Sequence, residues 1–281
     1  TGFMHTGFFC VIYYHKPPWS YYAMKHTLAL FLKTGCVVCI FLLLCLAAVH
    51  HFKPALSSLP VFSRFERKLP IYCVDTDKPQ VAISFDAAWG NEDTETLLSI
   101  LDKYNVKTTF FMTGGWIESY PEDVKKIAAA GHDLGNHSEN HKQMSQLSSD
   151  ECLAEIQKPH DKVKELTGTE MTLFRPPYGD YNNTLIESAN ALGYHVVQWS
   201  VDSLDWKDYG ADSIVDTILN HKALGDGAII LMHNGAKYTK DALERVITGL
   251  QDKGYEIVPI SQLIYTEKYH MDNTGRQFKD E

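Results

Sequence analysis

From Gln80 onwards, short runs rich in β-branched and aromatic residues alternate with amphipathic, helix-like segments. About seven such runs can be distinguished, the first reading QVAISFD, the fifth YHVVQWSVDS and the last YEIVPIS, and each is predicted to be one strand. Strands that are separated by helices pair in parallel, because each crossover returns the chain to the same end of the sheet. The sequence therefore predicts an α/β fold built on parallel strands, with helices over residues 94–104, 122–130, 150–166, 184–192, 213–222 and 240–253.

The composition of the chain is that of a globular protein. Of its 281 residues, 44% are hydrophobic and 22% are charged, which suffices for one large core or two small ones. The formal net charge of −9 argues against a nucleic-acid-binding surface, because neutralising phosphates requires clustered lysine and arginine. A neutral polymer or a small molecule is the better-matched partner.

The segment 28–49 is almost uniformly apolar, with Lys33 as its one charged residue. A helix of about 20 residues crosses the apolar part of a bilayer, so residues 24–50 are predicted to be a membrane anchor. Lys25 and Lys33 lie before and early in this segment. The positive-inside tendency then leaves the N-terminus cytoplasmic and exports the chain after His50. A cleaved signal peptide is the alternative.

The rest of the chain divides by composition. Residues 1–23 show no usable periodicity and stay unassigned, and residues 51–78, which contain three prolines, are predicted to be a linker. The alternating pattern fills residues 79–266, the predicted globular domain. Residues 267–281 are predicted to be a polar C-terminal tail.

Polar residues of unusual type fall at the carboxyl ends of successive predicted strands. Asp86 ends the first strand, His137 the third and His233 the sixth, while Arg175 lies in the fourth and Asp205 follows the fifth. In a parallel barrel or an open α/β sheet these ends share one face, where such folds place their chemistry. Any one of these residues could be a cap or a satisfied core residue, but their common position favours a single functional site.

Five motifs in this part of the chain resemble, in order and spacing, those of the polysaccharide deacetylase family: ISFDAAWG, HSENH, RPPYG, VDSLDW and ILMHNG. The family is also called carbohydrate esterase family 4 or the NodB homology domain, and the resemblance runs from about Gln80 to Ile264. It implies a distorted (β/α) barrel of about seven parallel strands. It also implies a divalent metal, usually zinc, and hydrolysis of N-acetyl groups on amino-sugar polymers such as peptidoglycan. With its anchor, the chain is similar to the family's membrane-bound sporulation and cell-wall deacetylases, which act outside the cell membrane.

His137 and His141 are the candidate metal ligands. Their spacing of four positions allows both imidazoles to face one ion if the chain turns helically after the strand. A metal ion supplies a nucleophile at neutral pH, because it lowers the pKa of a bound water to about 7. A pair of ordinary surface histidines is the alternative, because two ligands without a third bind metal loosely.

The resemblance implies roles for the other polar residues. Asp86 corresponds to the base that takes the proton of the attacking water, and Arg175 would hold this carboxylate ionised. His233 is placed to protonate the leaving amine, with Asp205 orienting its imidazole. The backbone N–H of Tyr178 corresponds to the donor that stabilises the oxyanion.

Three apolar residues are predicted to contact the substrate. Trp206 and Leu231 resemble the family's apolar walls around the acetyl methyl group, with ordinary core packing as the alternative. Trp89 is a candidate platform for a sugar ring.

One position departs from the family pattern. The family's second aspartate is a metal ligand that directly follows the base, and here this position is Ala87. Water, a rearranged Asp86, Glu92 or Asp93 could complete the site, although Asp93 also suits the N-cap position before Thr94. Two hypotheses follow. The first is an exported, membrane-anchored, metal-dependent deacetylase, and the second is a catalytically weakened relative that still binds glycan.

Overall fold

The computed structural model describes the backbone of residues 19–57 and 67–280, and within the first range it describes the side chains of residues 25–26 and 30–47. The chain divides into two compact units, Thr1–Glu66 and Arg67–Glu281. Most of the unassigned N-terminal extension therefore lies outside the described residues.

The first unit contains one long helix, α1 (Trp19–Ser57). Its segment Leu30–Ala47 is long and apolar enough to cross a membrane, and none of its side chains is buried within the structure. Length and composition of this kind are shared by membrane anchors and signal sequences. The predicted apolar helix is confirmed, but it continues to Ser57, beyond the predicted start of the linker at residue 51.

Short strands form the framework of the second unit. They are β1 (Cys73–Val74), β2 (Gln80–Ala87), β3 (Thr109–Met112), β4 (Asp133–Asn136), β5 (Leu173–Phe174), β6 (His195–Val196), β7 (Val201–Asp202), β8 (Ile229–His233), β9 (Glu256–Ile257), β10 (Tyr269–Met271) and β11 (Arg276–Lys279). The main sheet has the order β6-β5-β4-β3-β2-β8-β7, with β9 paired to the beginning of β2. Every pairing in it is parallel, which confirms the α/β prediction.

The sheet curls into a half-barrel because its two edge strands are consecutive in the chain. Strands β6 and β7 lie at opposite ends of the sheet order, and only residues 197–200 connect them. The run YHVVQWSVDS was predicted as a single strand, and this prediction is wrong. The N–H of Val197 donates to Phe174 (2.8 Å), whereas that of Ser200 donates to Ile229 (3.0 Å), so the backbone changes partners between the two edges.

Helices cover the outer face of the half-barrel. They are α2 (Thr94–Lys103), α3 (Gly114–Ser119), α4 (Pro121–Ala129), α5 (Ser149–Thr167), α6 (Asn183–Ala191), α7 (Ala211–Leu219) and α8 (Thr239–Asp252). The short α9 (Ile260–Leu263) packs instead with Ala82 in a smaller, separate core. The six predicted helices end within about three residues of their expected bounds, the usual uncertainty of helix ends. The short α3 was not predicted. It begins where the hydroxyl of Thr113 accepts the N–H of Trp116 at 3.2 Å, a cap without a long amphipathic pattern after it.

Alternation along β2 decides which side chains reach the interior of the barrel. Ile83, Phe85 and Ala87 belong to the large core between the sheet and the helices. Ala82 packs in the smaller core inside the barrel, and Asp86 has the same parity. The carboxylate of Asp86 therefore points inward, whereas the adjacent methyl group of Ala87 is fully buried on the helix side.

Parts of the predicted linker and tail belong to the second unit, namely residues 67–78 and 267–280, whereas residues 58–66 of the predicted linker lie outside the described residues. Strand β1 pairs with β11, and β11 pairs with β10 to form a separate three-stranded sheet. The turn between β10 and β11 is built by Asp272, whose carboxylate accepts the N–H groups of Thr274 (2.8 Å) and Arg276 (2.9 Å). Gln277 of β11 is fully buried and makes two hydrogen bonds to the backbone of Tyr265.

Candidate active site

The polar residues at the strand ends surround one cavity of about 500 Å³ at the carboxyl ends of the main sheet. Asp86 of β2 pairs in register with His233 of β8. All but two of the predicted site residues line this cavity. The two exceptions, Arg175 and Asp205, are fully buried and contact Asp86 and His233, respectively.

Asp86 is held as a buried carboxylate. Nη1 of Arg175 donates to its Oδ1 at 2.8 Å, and Nη2 of the same guanidinium donates to the carbonyl of Gln198 at 3.1 Å. Burial alone would raise the pKa of Asp86, but the charge of Arg175, with contributions from His137 and His233, lowers this pKa below its usual value. The geometry suits a base that is ionised at neutral pH.

His137 is fixed in one tautomer. Its Nδ1 lies 2.7 Å from the carbonyl oxygen of Arg175, and because a carbonyl only accepts, Nδ1 carries the proton. Nε2 is then a free acceptor, 3.5 Å from Oδ2 of Asp86. Burial lowers the pKa of His137, which leaves a neutral imidazole with a lone pair on the cavity side.

His141 faces His137 with its ring centroid 5.0 Å away. Its ring also contacts Tyr178 (4.5 Å) and Trp89 (4.9 Å), and its buried Nδ1 has no hydrogen-bond partner among the described residues. Burial, with a smaller contribution from His137, lowers its pKa to about 4. The two rings face each other without a helical turn, because the loop turns through left-handed backbone at Ser138 (φ 65°) and His141 (φ 53°).

The donor set fits a divalent cation held by two neutral imidazoles. Within residues 25–26, 30–47 and 67–280, no group of three His, Cys, Asp or Glu side chains is placed to hold an ion. One acidic oxygen, Oδ2 of Asp86, lies 3.5 Å from Nε2 of His137. Asp93 is unsuited, because its carboxylate pairs with Lys240 at 2.9 Å. Asp93 is the N-cap residue of α2, as predicted, but its carboxylate makes no capping hydrogen bond to the helix.

His233 and Asp205 form a second pair. Nδ1 of His233 lies 2.7 Å from Oδ1 of Asp205, whose Oδ2 accepts the N–H of His233 at 2.7 Å and the hydroxyl of Thr239 at 2.6 Å. Burial would lower the pKa of His233, but the hydrogen bond and charge of Asp205 raise it overall. The imidazolium therefore persists to higher pH than usual, which suits a general acid.

Asp205→Asn is expected to shift the alkaline limb of the rate to lower pH. The amide offers N–H₂ where the carboxylate accepted the proton on Nδ1 of His233, so the raised pKa falls and the tautomer changes. The pH profile of acetate release measures this shift. An alkaline limb that stays at the wild-type pH would exclude Asp205 as the group that tunes His233.

Aromatic side chains form the rim of the cavity. Trp89 and Tyr178 are both 65% exposed and Trp206 is 55% exposed, whereas Leu231 forms a buried wall. A second cleft of about 370 Å³ shares Trp89, Trp206 and His233 with the main cavity. This arrangement is suited to stacking against sugar rings.

Sequence reasoning missed Trp199 and Ala88, which also line the cavity. Trp199 falls within the run that is predicted as one strand. In the structure it lies in the connection between β6 and β7, where this run divides. Its ring lies 5.7 Å from the guanidinium of Arg175. Ala88 lines the cavity, whereas its neighbour Ala87 is fully buried and does not.

Fold and site together define a class of protein: an α/β half-barrel with an Arg-held carboxylate and an Asp-held imidazole at the carboxyl ends of its strands. The polysaccharide deacetylase family profile matches residues 74–197. The chain is 33% identical to the peptidoglycan-N-acetylglucosamine deacetylase of Bacillus cereus, over 74% of this chain and 76% of that protein. The chain belongs to the polysaccharide deacetylase family.

Other relatives are longer or catalytically different. The chain is 38% identical to the uncharacterized protein YlxY of Bacillus subtilis, over 69% of this chain and 60% of YlxY. It spans only 41% of the peptidoglycan-N-acetylmuramic acid deacetylase PdaC of the same organism, at 35% identity over 69% of this chain. The crystal structure of BA3943, a family 4 pseudoenzyme from Bacillus anthracis, superposes with a TM-score of 0.67 at 30% identity, covering 76% of this chain and 73% of BA3943.

Proposed function

We propose that the protein is a metal-dependent hydrolase that removes N-acetyl groups from an amino-sugar polymer of the cell wall, with peptidoglycan as the first candidate. The observation that carries the proposal is geometric: the carboxylate of Asp86, paired with Arg175, and the imidazole of His233, paired with Asp205, lie in register on neighbouring strands at one cavity. Relatives named as peptidoglycan deacetylases support the choice of substrate.

In this proposal, each polar residue handles one charge or one proton. Asp86 takes a proton from the attacking water, and Arg175 keeps the carboxylate available for this step. The backbone N–H of Tyr178 faces the developing oxyanion. His233 delivers a proton to the nitrogen of the sugar as the acetyl group departs, and Asp205 orients the imidazole.

His137 and His141 would hold the cation. A divalent cation lowers the pKa of a water and polarises the acetyl carbonyl. Imidazole nitrogen and carboxylate oxygen are ligands that zinc commonly takes, so zinc is the first candidate. The neutral states of both imidazoles support this assignment, because only the deprotonated nitrogen donates to a metal.

A glycan-binding protein with weakened catalysis is the second candidate. It is favoured by Ala87 at the position of the family's metal-binding aspartate, and by the similarity to a family pseudoenzyme. A variant of BA3943 is described as having restored enzymatic activity, and its structure matches this chain with a TM-score of 0.67 at 34% identity, over 70% of this chain and 72% of that one.

One experiment separates the two candidates. The purified chain is assayed for bound zinc and for acetate released from peptidoglycan and from chitin oligomers. The deacetylase proposal requires metal-dependent acetate release that a chelator abolishes. Binding to the same polymers without acetate release, in the presence of saturating zinc, would instead establish the glycan-binding candidate.

The apolar helix α1 is proposed to anchor the protein, with the domain after His50 outside the cytoplasmic membrane. Lys25 and Lys33 beside the apolar segment support this orientation. We expect a protease added to intact cells lacking their wall to digest the domain. Protection of the domain until the membrane is permeabilised would reverse the assigned orientation.

A further inference from the structure

The loop that carries the two candidate ligands, residues 137–141, is held in an uncommon backbone conformation. Ser138 and His141 both have positive φ, a region that residues with side chains rarely adopt. Such conformations persist only where the surrounding structure enforces them. Within the loop, the N–H of His141 donates to the hydroxyl of Ser138 at 3.0 Å.

Contacts from outside the loop come from α3 and α5. At the start of α3, the N–H groups of Gly114 and Gly115 donate to the carbonyls of Ser138 (2.9 Å) and Glu139 (3.2 Å), whereas α5 contributes side chains. Oε2 of Glu155 accepts the backbone N–H of Asn140 at 2.8 Å, and Oε1 accepts Nδ2 of the same residue at 2.8 Å. Nζ of Lys142 lies 2.9 Å from Oε1. Glu155 is only 5% exposed, so its carboxylate is committed to the residues on either side of His141.

A second contact from α5 holds the opposite side of the loop. Nζ of Lys162 donates to Oε1 of Glu139 at 2.7 Å and to the carbonyl of Gly114 at 3.2 Å. The lysine is more exposed than Glu155 and also pairs with Glu118 at 3.1 Å, and its bond to the loop goes to the side chain of Glu139 rather than to the backbone. Glu155 is therefore the α5 residue that bonds directly to the loop backbone, one peptide before His141.

We propose that Glu155 is a positioning residue for His141. By fixing the N–H and side chain of Asn140, it holds the next residue in left-handed backbone and keeps the imidazole of His141 facing that of His137. We call the two hydrogen bonds between Glu155 and Asn140 the clamp. Its role in binding a cation rests on the proposed function.

Glu155→Gln tests the clamp in the full chain, purified in detergent. The glutamine offers one acceptor where the loop requires two, and its N–H₂ group would face other donors. We expect hydrogen exchange of the segment 137–142 to accelerate at least ~10-fold, and the dissociation constant for Co²⁺ to rise at least ~10-fold, as for other partners that orient metal ligands. Glu170→Gln, which removes an acid paired with His160 and Lys164, is the matched control and should change neither quantity.

A double-mutant cycle with Asn140→Ala identifies the route of the effect. If Glu155 acts through Asn140, the two substitutions will be less than additive in Co²⁺ affinity. Because Asn140 is exposed, its variant also tests the bond if Glu155→Gln fails to fold. Unchanged exchange of the loop, or additive losses of affinity, would overturn the proposal. If the wild-type chain binds no Co²⁺, the cation site fails, and the exchange of the loop alone decides on the clamp.

Discussion

Asp86→Asn and His233→Ala are each expected to lower the turnover of acetate release at least ~100-fold, the scale of general acid–base catalysis. Asparagine cannot accept the proton of the attacking water, although its Oδ1 can still accept the hydrogen bond of Arg175. Alanine at position 233 removes the proton that the leaving amine requires. Turnover is measured with saturating zinc, so that a change in metal affinity does not mimic a catalytic loss.

Matched controls separate catalysis from folding. Asp212→Asn removes the same chemical group from an exposed position, and His221→Ala does so from a half-buried one. Neither residue lines the cavity, so both variants should retain wild-type turnover. Thermal unfolding is compared for all four variants, because Asp86→Asn leaves the buried guanidinium of Arg175 without its counter-ion. Near-normal acetate release from a folded Asp86→Asn or His233→Ala variant would remove that residue from the proposed mechanism.

The parallel framework was predictable because its signal is local. Strands such as β2 and β8 are buried on both faces and read as continuous apolar runs, and the helices between them carry a clear apolar stripe. The same patterns place Asp86 and His233 at strand ends. Their proximity then follows from parallel pairing alone, so two partners far apart in sequence could be grouped before their contacts were known.

Two features of the fold could not be predicted, the division of the fifth run into β6 and β7 and the folding of the C-terminal segment. Both depend on hydrogen bonds made by a few residues. The run around Trp199 has uniform strand character, yet it divides because the sheet closes there. The C-terminal segment looked like a polar tail, because its apolar content is low and its stability comes from the Asp272 turn and from the buried amide of Gln277. Polar contacts of this kind leave little trace in the hydrophobic pattern.

The site itself was predictable in its residues but less so in its conformation. The spacing of His137 and His141 suggested a helical turn, whereas their facing arrangement depends on positive φ at Ser138 and His141 and on a carboxylate from α5. Spacing alone does not encode these conditions. The same limit applies to the third ligand, since the sequence identifies the missing aspartate but not where the side chain at that position points.

Ala87→Asp is expected to tighten metal binding, because it adds a negative charge next to Asp86, at the sequence position where the family pattern has its metal-binding aspartate. A residue that binds the metal directly should affect metal affinity at least as much as a residue that only orients a ligand. The dissociation constant for zinc should therefore fall at least ~10-fold. The methyl group of Ala87 is fully buried on the helix side of β2, so the new carboxylate should lower the thermal stability of the metal-free protein. Added zinc should then restore stability by binding to the folded state.

Two neighbouring substitutions make the prediction about position 87 specific. In Ala87→Asn, the asparagine has nearly the same size as aspartate but carries no charge, so the affinity for zinc should stay close to that of the wild type. Ala88→Asp places a carboxylate on the residue that already lines the cavity.

Titration calorimetry with zinc compares the three variants on the same scale. If Ala88→Asp tightens binding while Ala87→Asp does not, the side chain of residue 88 faces the ion, and the family's ligand position does not carry over to this chain. If neither variant binds more tightly than the wild type, the two histidines are not the centre of a metal site.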